Sequence, residues 1–190
     1  ALYYLPTNGD SNPKMVTKPG VGASYLHGWS PNNKEMIFTG DRNGAYNIFT
    51  VNLKSGKEEQ LTDFPTLDDG PEYTKNGKTI FFNSDRTGTM QLYSMKANGK
   101  KQTQLTFDDY NDWFPHVSPD QKWIAFISFP KEIKSNDHPF YKHCMLRIMP
   151  IKGGKPKVIA HIYGGQGTIN VPSWSPDSKK IAFITNTDSY

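Results

Sequence analysis

The sequence predicts an all-β protein, a β-propeller built from four-stranded antiparallel blades. A segment with short apolar runs recurs along the chain: "WSPNNKEMIF" begins at Trp29, "YTKNGKTIFF" at Tyr73 and "VSPDQKWIAF" at Val117. The three starts are spaced evenly, 44 residues apart. Short alternating runs separated by Gly, Pro and Asn are typical of antiparallel strands. Four such strands in a repeat of about 40–45 residues predict a propeller blade.

Each repeat divides into the same four strands. Strand one leads into the aromatic or valine position, and a turn of the type "SPDxK" follows, in which Pro and Asp favour a tight reversal. Strand two is "EMIFTG", "TIFFNS", "WIAFIS" or "KIAFIT", and strand three is "NIFTVNL", "QLYSMKA" or "MLRIMPI". A glycine turn such as "KSGK" or "ANGK" then leads to strand four, for example "EEQLT".

The repeat also predicts where the chain departs from it. A fourth start, "WSPDSKKIAFITN", comes at Trp174, and the longer interval before it indicates an insertion at 129–143 and a smaller one in "HIYGGQGTIN". The start of the chain, "LYYLPTNG", matches strand three in "LYSMKANG". We therefore expect four blades' worth of strands, in which the terminal segments complete one shared blade. The predicted units are 1–20, 25–64, 69–107, 112–160 and 170–190.

Composition narrows the function classes. The chain has 190 residues and a net charge of +4, but only three of its 22 basic residues are Arg, and the lysines are dispersed. This pattern indicates a solvated surface and predicts no nucleic-acid partner. No apolar run is long enough to insert into a membrane. The single Cys144 leaves no internal disulfide and is compatible with the periplasm or the cytoplasm. The start "ALYYLPTNGD" has neither an initiator Met nor a signal-peptide pattern, as expected of a processed or cloned piece.

The repeat resembles that of the TolB-type β-propellers, in which Trp-Ser-Pro-Asp, Asp-Arg-x-Gly and Leu-Thr recur in order. The motifs "HGWSP", "NDWFPH" and "GGQGT" look like a bacterial TolB-like subgroup. The resemblance implies six blades, of which this chain corresponds to the C-terminal two-thirds. It also implies a periplasmic or exported, non-enzymatic propeller that binds a partner. One such scaffold carries many functions, so the site must be argued from its residues.

The loops from strand two to three and from strand four to one are predicted to share one face. This face holds both insertions, most of the acidic residues and several aromatic residues, whereas most lysines fall in the turns of the other face. Binding sites concentrate in such loops on a rigid scaffold. The candidate ligand-binding residues are His27, Asp69, Asp112, Trp113, His116, His138, Gln166 and Asn170.

Each candidate also has a structural interpretation. His27 stands where the next repeats have Pro71 and Pro115, in a strand that lines the channel, and it could equally be a hydrogen-bonded structural histidine. Asp69 and Asp112 start strand one and could bind a ligand or satisfy turn amides. Asp41-Arg42 and Asp85-Arg86 recur in "DRNG" and "DRTG", which favours a shared structural role.

Two functions follow from these residues. The first is a non-catalytic module that binds a protein, peptide or saccharide at the channel mouth. The alternative is a metal-dependent polysaccharide lyase of the oligogalacturonate type, or a related hydrolase. The resemblance to propeller lyases implies His and Gln ligands, for which His27, His116 and Gln166 are the counterparts that could hold Mn, Zn or Ca. The sequence has no G-x-S-x-G motif, and no catalytic residue is predicted.

Overall fold

The computed structural model describes residues 1–9, 11–169 and 173–186. This part of the chain contains fourteen strands and no helix. The strands are β1 (Tyr3–Tyr4), β2 (Lys14–Met15), β3 (Ser24–Trp29), β4 (Glu35–Arg42), β5 (Ala45–Asn52), β6 (Glu58–Gln60), β7 (Asp68–Tyr73), β8 (Thr79–Ser84), β9 (Gln91–Lys96), β10 (Thr103–Gln104), β11 (Asn111–Val117), β12 (Trp123–Phe129), β13 (Lys142–Pro150) and β14 (Lys157–Gly164).

Consecutive strands pair to form three blades. The first blade is β3–β6, the second is β7–β10 and the third is β11–β14, each an antiparallel sheet whose strands follow chain order. The predicted blade class is therefore confirmed. Among the described residues β1 and β2 pair only with each other, and Trp174 forms an isolated bridge with Ile181. The shared terminal blade stays a prediction.

The sheets pack face to face, which explains why strand two is the most apolar strand of each blade. One cluster joins Ile37 and Ile48 of the first blade to Ile80 and Phe82 of the second. A further cluster joins Phe81 of the second blade to Phe126 and other residues of the third. Because both faces of strand two are covered by neighbours, an alternating pattern is replaced by a continuous buried run. The described residues include no long apolar helix of the kind that spans a bilayer.

An arginine that is buried or half-buried packs over strand two in each of the three described blades. The guanidinium carbons of Arg42, Arg86 and Arg147 lie 5.6, 5.4 and 5.5 Å from the ring centres of Phe38, Phe82 and Phe126. Each arginine also binds an acid: Glu58, Asp68, and the pair Asp108 and Asp112, respectively. We call these three groups the arginine clamps.

The third clamp takes its arginine from another strand. The insertion replaces the "DRxG" turn in the third blade, so that Pro130 stands where the repeat predicts an arginine. Arg147 of β13 lies opposite Phe126 in the sheet and supplies the guanidinium instead. The arginines of the recurring Asp-Arg pairs therefore have a structural role, as their recurrence indicates.

Strand one is bulged in all three blades at the level where it faces the channel. The register shifts fall between Leu26 and Gly28, between Asp69 and Glu72, and between Trp113 and His116. At the second bulge Gly70 has φ +62°, and a Cβ there would come within 2.6 Å of Asn83 Oδ1. A β-bulge re-aims the side chains on either side of it, and bulges are common beside functional sites.

At the third bulge Phe114 has φ 56°, in the left-handed region. A bulky residue in this region carries a conformational cost of about 1–3 kcal/mol. Phe114 N–H donates to Asn83 Oδ1 over 3.1 Å, and the ring is buried in the core. These contacts offset the cost and fix the bulge of β11 against the second blade.

The two insertions meet on one face, as predicted. The first forms the connection between Phe129 and Lys142, and Ile133 in this connection packs against the core. Gln166 of "GGQGT" donates its backbone N–H to Pro139 O over 3.0 Å. Gly165 lies so close to this loop that a Cβ would overlap Pro139 O. We call residues 130–141 the insertion loop.

Candidate functional site

A cavity of about 920 Å³ opens between the three blades. Its walls combine strand-one residues with segments of the strand two-to-three and four-to-one loops, including the insertion loop, and it therefore opens on the predicted face. The residues that line it include Tyr25, His27, Thr39, Tyr46, Asp69, Glu72, Asp85, Phe114, His116, His138 and Gln166.

Asp69 is the hydrogen-bonding centre of the cavity. Its Oδ1 lies 3.0 Å from His27 Nε2 and accepts from Thr39 Oγ1 over 2.7 Å, while its Oδ2 lies 3.1 Å from His138 Nε2. His27 and Thr39 belong to the first blade, and His138 belongs to the insertion loop of the third. One carboxylate of the second blade therefore connects all three blades.

The protonation state of Asp69 follows from these partners. Burial alone would raise the pKa of this carboxyl, but the hydrogen bonds from His138, His27 and Thr39 outweigh it and lower the pKa well below its usual range. An ionised carboxylate only accepts hydrogen bonds, so both histidines present an N–H to it. The ring of His138 is also held edge-on to Trp113, with 4.5 Å between the ring centres.

A second histidine–carboxylate pair lies farther along strand one. His116 Nδ1 is 2.7 Å from Glu72 Oε2, and Glu72 Oε1 accepts the backbone N–H of Val117 over 2.8 Å. Glu72 and His116 are equivalent residues of neighbouring repeats, 44 positions apart. The other ring nitrogen of His116, Nε2, is buried and has no hydrogen-bond partner.

The structure brings five of the predicted residues together at the cavity: His27, Asp69, His116, His138 and Gln166. The remaining predictions have different outcomes. Trp113 and Asp112 are fully buried and lie behind the cavity rather than on its wall. Asn170 is outside the described residues.

Asp112 needs a correction, because it lies in an arginine clamp. Its Oδ1 accepts from Ser128 Oγ over 2.6 Å and from Arg147 Nη1 over 3.2 Å, whereas its Oδ2 is buried without a partner. Burial and the nearby Asp108 raise the pKa of Asp112 to about 7, although Arg147 opposes the shift. With no exposed atom, Asp112 offers nothing to a ligand in the cavity.

The predicted divalent metal does not fit the donors in this arrangement. Within 1–9, 11–169 and 173–186, no three His, Cys, Asp or Glu side chains form a group that could hold a metal ion. His27 Nε2 and His116 Nδ1 each face a carboxylate, and His116 Nε2 is buried. We therefore assign no step to a metal at His27, His116 and Gln166.

Sequence reasoning missed Glu72, although the repeat contains the signal. Moving 44 residues back from His116 gives Glu72, and moving back from Asp112 gives Asp68, the clamp acid, rather than Asp69. Asp69 instead aligns with Tyr25 and Trp113. The strand-one residues of the cavity thus stand at positions where the three repeats differ.

Radial four-stranded blades with a cavity on their strand-one side define a β-propeller. The family model described as the TolB beta propeller domain matches residues 12–138. The chain belongs to this family.

Relatives support the same assignment. An uncharacterized protein from Agrobacterium fabrum (strain C58) is 37% identical over 184 residues, which are 97% of this chain and 61% of the relative. The solved structure of a TolB-like protein from Agrobacterium tumefaciens superimposes with a TM-score of 0.90 at 36% identity, covering 98% of this chain and 66% of that one. The chain thus spans somewhat less than two thirds of each of these relatives.

A more distant structure shows the fold alone. TolB from Acinetobacter baumannii superimposes with a TM-score of 0.65 at 24% identity. The match covers 80% of this chain and 35% of that TolB.

Proposed function

We propose that the chain is a non-catalytic binding module whose cavity holds a segment of a partner protein, a peptide or a saccharide. The observation that carries the proposal is the meeting of five independently predicted polar residues in one cavity of about 920 Å³. This volume lies within the range that ligand sites occupy in proteins. Aromatic side chains on its wall supply apolar contact, and the amide and carboxylate groups supply direction.

The hydrogen bonds of the cavity favour binding over nucleophilic catalysis. A histidine activates a nucleophile when it is paired with a serine or cysteine. Each histidine ring here faces a carboxylate instead, as the contacts of His27, His116 and His138 show. Burial raises the pKa of the Cys144 thiol to about 11, so this thiol is neutral at physiological pH. The lyase alternative has no geometric observation in its favour.

A binding screen tests the proposal. The protein is assayed by calorimetry against acetylated, amidated pentapeptides and a set of neutral and acidic oligosaccharides. A ligand of the cavity should lose at least about tenfold in affinity in His27→Ala, because a hydrogen bond to a charged group is worth about 1.5–3 kcal/mol. His143→Ala is the control, since His143 does not line the cavity and contacts the Tyr163 ring.

Two outcomes would contradict the proposal. One is that no peptide or saccharide binds, and the other is that every ligand binds His27→Ala as well as the unaltered protein. Elemental analysis of the purified protein addresses the alternative. Stoichiometric Mn, Zn or Ca that disappears in His27→Ala and His116→Ala would favour the lyase.

We also propose a periplasmic or exported location, which the TolB family membership supports. Fractionation of cells that express the full-length gene product checks this. Recovery in the cytoplasmic fraction alone would contradict it.

A further inference from the structure

The cavity has a one-sided charge. Three carboxylates line it, from Asp69, Glu72 and Asp85, and the described residues that line it include neither lysine nor arginine. Glu72 has a side chain that is 31% exposed and therefore reachable from the cavity. The arginines of the chain lie in the clamps, where acids and rings already surround them. A ligand thus meets carboxylates whose charged or polar partners on the cavity wall include three histidines but no lysine or arginine.

The histidines of the cavity are engaged with two of these carboxylates. Each ring directs one N–H toward a carboxylate, His27 and His138 toward Asp69 and His116 toward Glu72. The second ring nitrogen of His116, Nε2, has no hydrogen-bond partner, and neither has Thr66 Oγ1. Both atoms are buried and offer nothing to a ligand on the cavity surface. The described lining thus holds carboxylates and their histidine partners, without lysine or arginine.

The mouth of the cavity adds aromatic faces. Tyr25 is 55% exposed, and its ring lies 6.2 Å from that of Tyr46, tilted by 38°. Tyr46 pairs in the sheet with Asp41, which adds another carboxylate near this rim. Aromatic faces attract cations, most strongly where water is partly removed.

We propose that the cavity recognises a cationic side chain, a lysine ammonium or an arginine guanidinium, carried by a peptide or protein segment. This inference rests on the proposed function and names the chemistry of its ligand. An ammonium brings three donors and a guanidinium five, and neither brings an acceptor. Such a group supplies the positive charge of a lysine or arginine, which the described lining lacks, and N–H donors for Glu72 and Asp85, with the tyrosine rings beside it.

Matched peptides test the inference. The probes are acetylated, amidated pentapeptides with glycine at every position except the third, which is arginine, citrulline, lysine or acetyl-lysine. Citrulline and acetyl-lysine keep the length of the side chain and remove its charge. We expect the charged peptides to bind at least about tenfold more tightly than their neutral partners, because a charge-assisted hydrogen bond would be lost. The difference should shrink as the salt concentration rises.

Two substitutions locate the effect. Glu72→Gln and Asp85→Asn should each reduce the preference for the charged peptides and leave the binding of the neutral ones nearly unchanged. The matched control is Glu132→Gln, an exposed carboxylate of the insertion loop that does not line the cavity. Thermal unfolding confirms that each variant is folded, and the two cavity variants are independent of each other.

The outcomes separate this inference from the proposed function. Equal binding of the charged and neutral peptides, or binding only of a saccharide that depends on His27, overturns the cationic ligand and leaves the binding module intact. If no peptide or saccharide binds, or if no cavity variant changes binding, both proposals fail. A preference for charge that Glu132→Gln removes and Glu72→Gln does not would also overturn the inference.

Discussion

The arginine clamps and the cavity are built from the same blades, but they relate to the repeat in opposite ways. Every described blade has a clamp, and Phe38, Phe82 and Phe126 occupy equivalent positions beneath its arginine. The strand-one residues of the cavity instead differ from repeat to repeat, so that Asp69 stands where the neighbouring repeats have Tyr25 and Trp113. The phenylalanines of the clamps recur in each described blade, whereas the strand-one side of the cavity is formed by residues that depart from the repeat.

The two regions also treat a buried carboxylate differently. Asp69 has donors on both oxygens, and its pKa is lowered. Asp112 shares one guanidinium with Asp108 and has one oxygen without a donor, and its pKa is raised. At Asp69 the hydrogen bonds outweigh burial, whereas at Asp112 burial and the nearby Asp108 outweigh the opposing effect of Arg147.

The largest expected effect is the loss of a clamp. Arg147→Met should lower the free energy of unfolding by about 3–5 kcal/mol at pH 8, because Asp108 and the buried Asp112 lose their shared cation. Denaturant unfolding measures the change. The control is Lys122→Ala, which removes an exposed ion pair to Asp120 and should cost less than about 1 kcal/mol. A loss of the same size in both variants would contradict the role of the clamp.

The second prediction compares how Asp112 and Asp69 change the free energy of unfolding with pH. The folded protein holds the Asp112 proton up to about pH 7, whereas the unfolded chain releases it near 3.8. The unaltered protein should therefore lose stability relative to Asp112→Asn as the pH rises through this window, on the order of 3 kcal/mol.

Asp69 should behave in the opposite sense. Its pKa is lower in the folded protein than the ordinary value of 3.8, so lowering the pH protonates the unfolded chain first. The unaltered protein should hold its full advantage over Asp69→Asn above about pH 4 and lose it as the pH falls further. Parallel stability curves for the two variants would contradict the difference between the regions.

The third prediction concerns the contact between the insertion loop and the cavity. His138→Ala removes a donor to Asp69 and the edge contact with Trp113, and should lower the free energy of unfolding by about 1–3 kcal/mol. Hydrogen exchange should increase in residues 130–141. His143→Ala, at the start of β13, should have less than half this effect. Unchanged exchange in His138→Ala would contradict a role of His138 in holding the loop.

The smallest expected effect compares two residues at the same repeat position. Asp85 accepts the Leu67 N–H over 2.9 Å, so Asp85→Asn should lower stability by about 0.5–1.5 kcal/mol. Asp41 is the equivalent residue of the first blade, and Asp41→Asn should cost less than about 0.5 kcal/mol. Thermal unfolding of both variants measures the difference. A larger loss for Asp41→Asn would weaken the link between repeat position and role.

The blades, the loop face and the position of the insertion could be predicted because their signals are local. Turn residues and alternating runs report the strands, and antiparallel pairing then decides which loops share a face. The encounter of Asp69 with His138 could not be predicted in detail, because these residues are 69 positions apart and meet through the course of the insertion loop. The interpretation of Asp112 as a ligand-binding residue groups it with Asp69, whereas its equivalent in the repeat is Asp68, an acid of an arginine clamp.

The hydrogen bonds around Asp69 also remove the rotational symmetry of the cavity. If the blades were identical, a ligand could bind in several equivalent orientations, each with the same energy. Here successive blades present histidine, aspartate and a histidine-bearing loop to one point, which gives the opening a single preferred direction. An elongated ligand would therefore have a defined rotation about the propeller axis as well as a defined position along it. Moving the site to another blade would require coordinated changes in three blades.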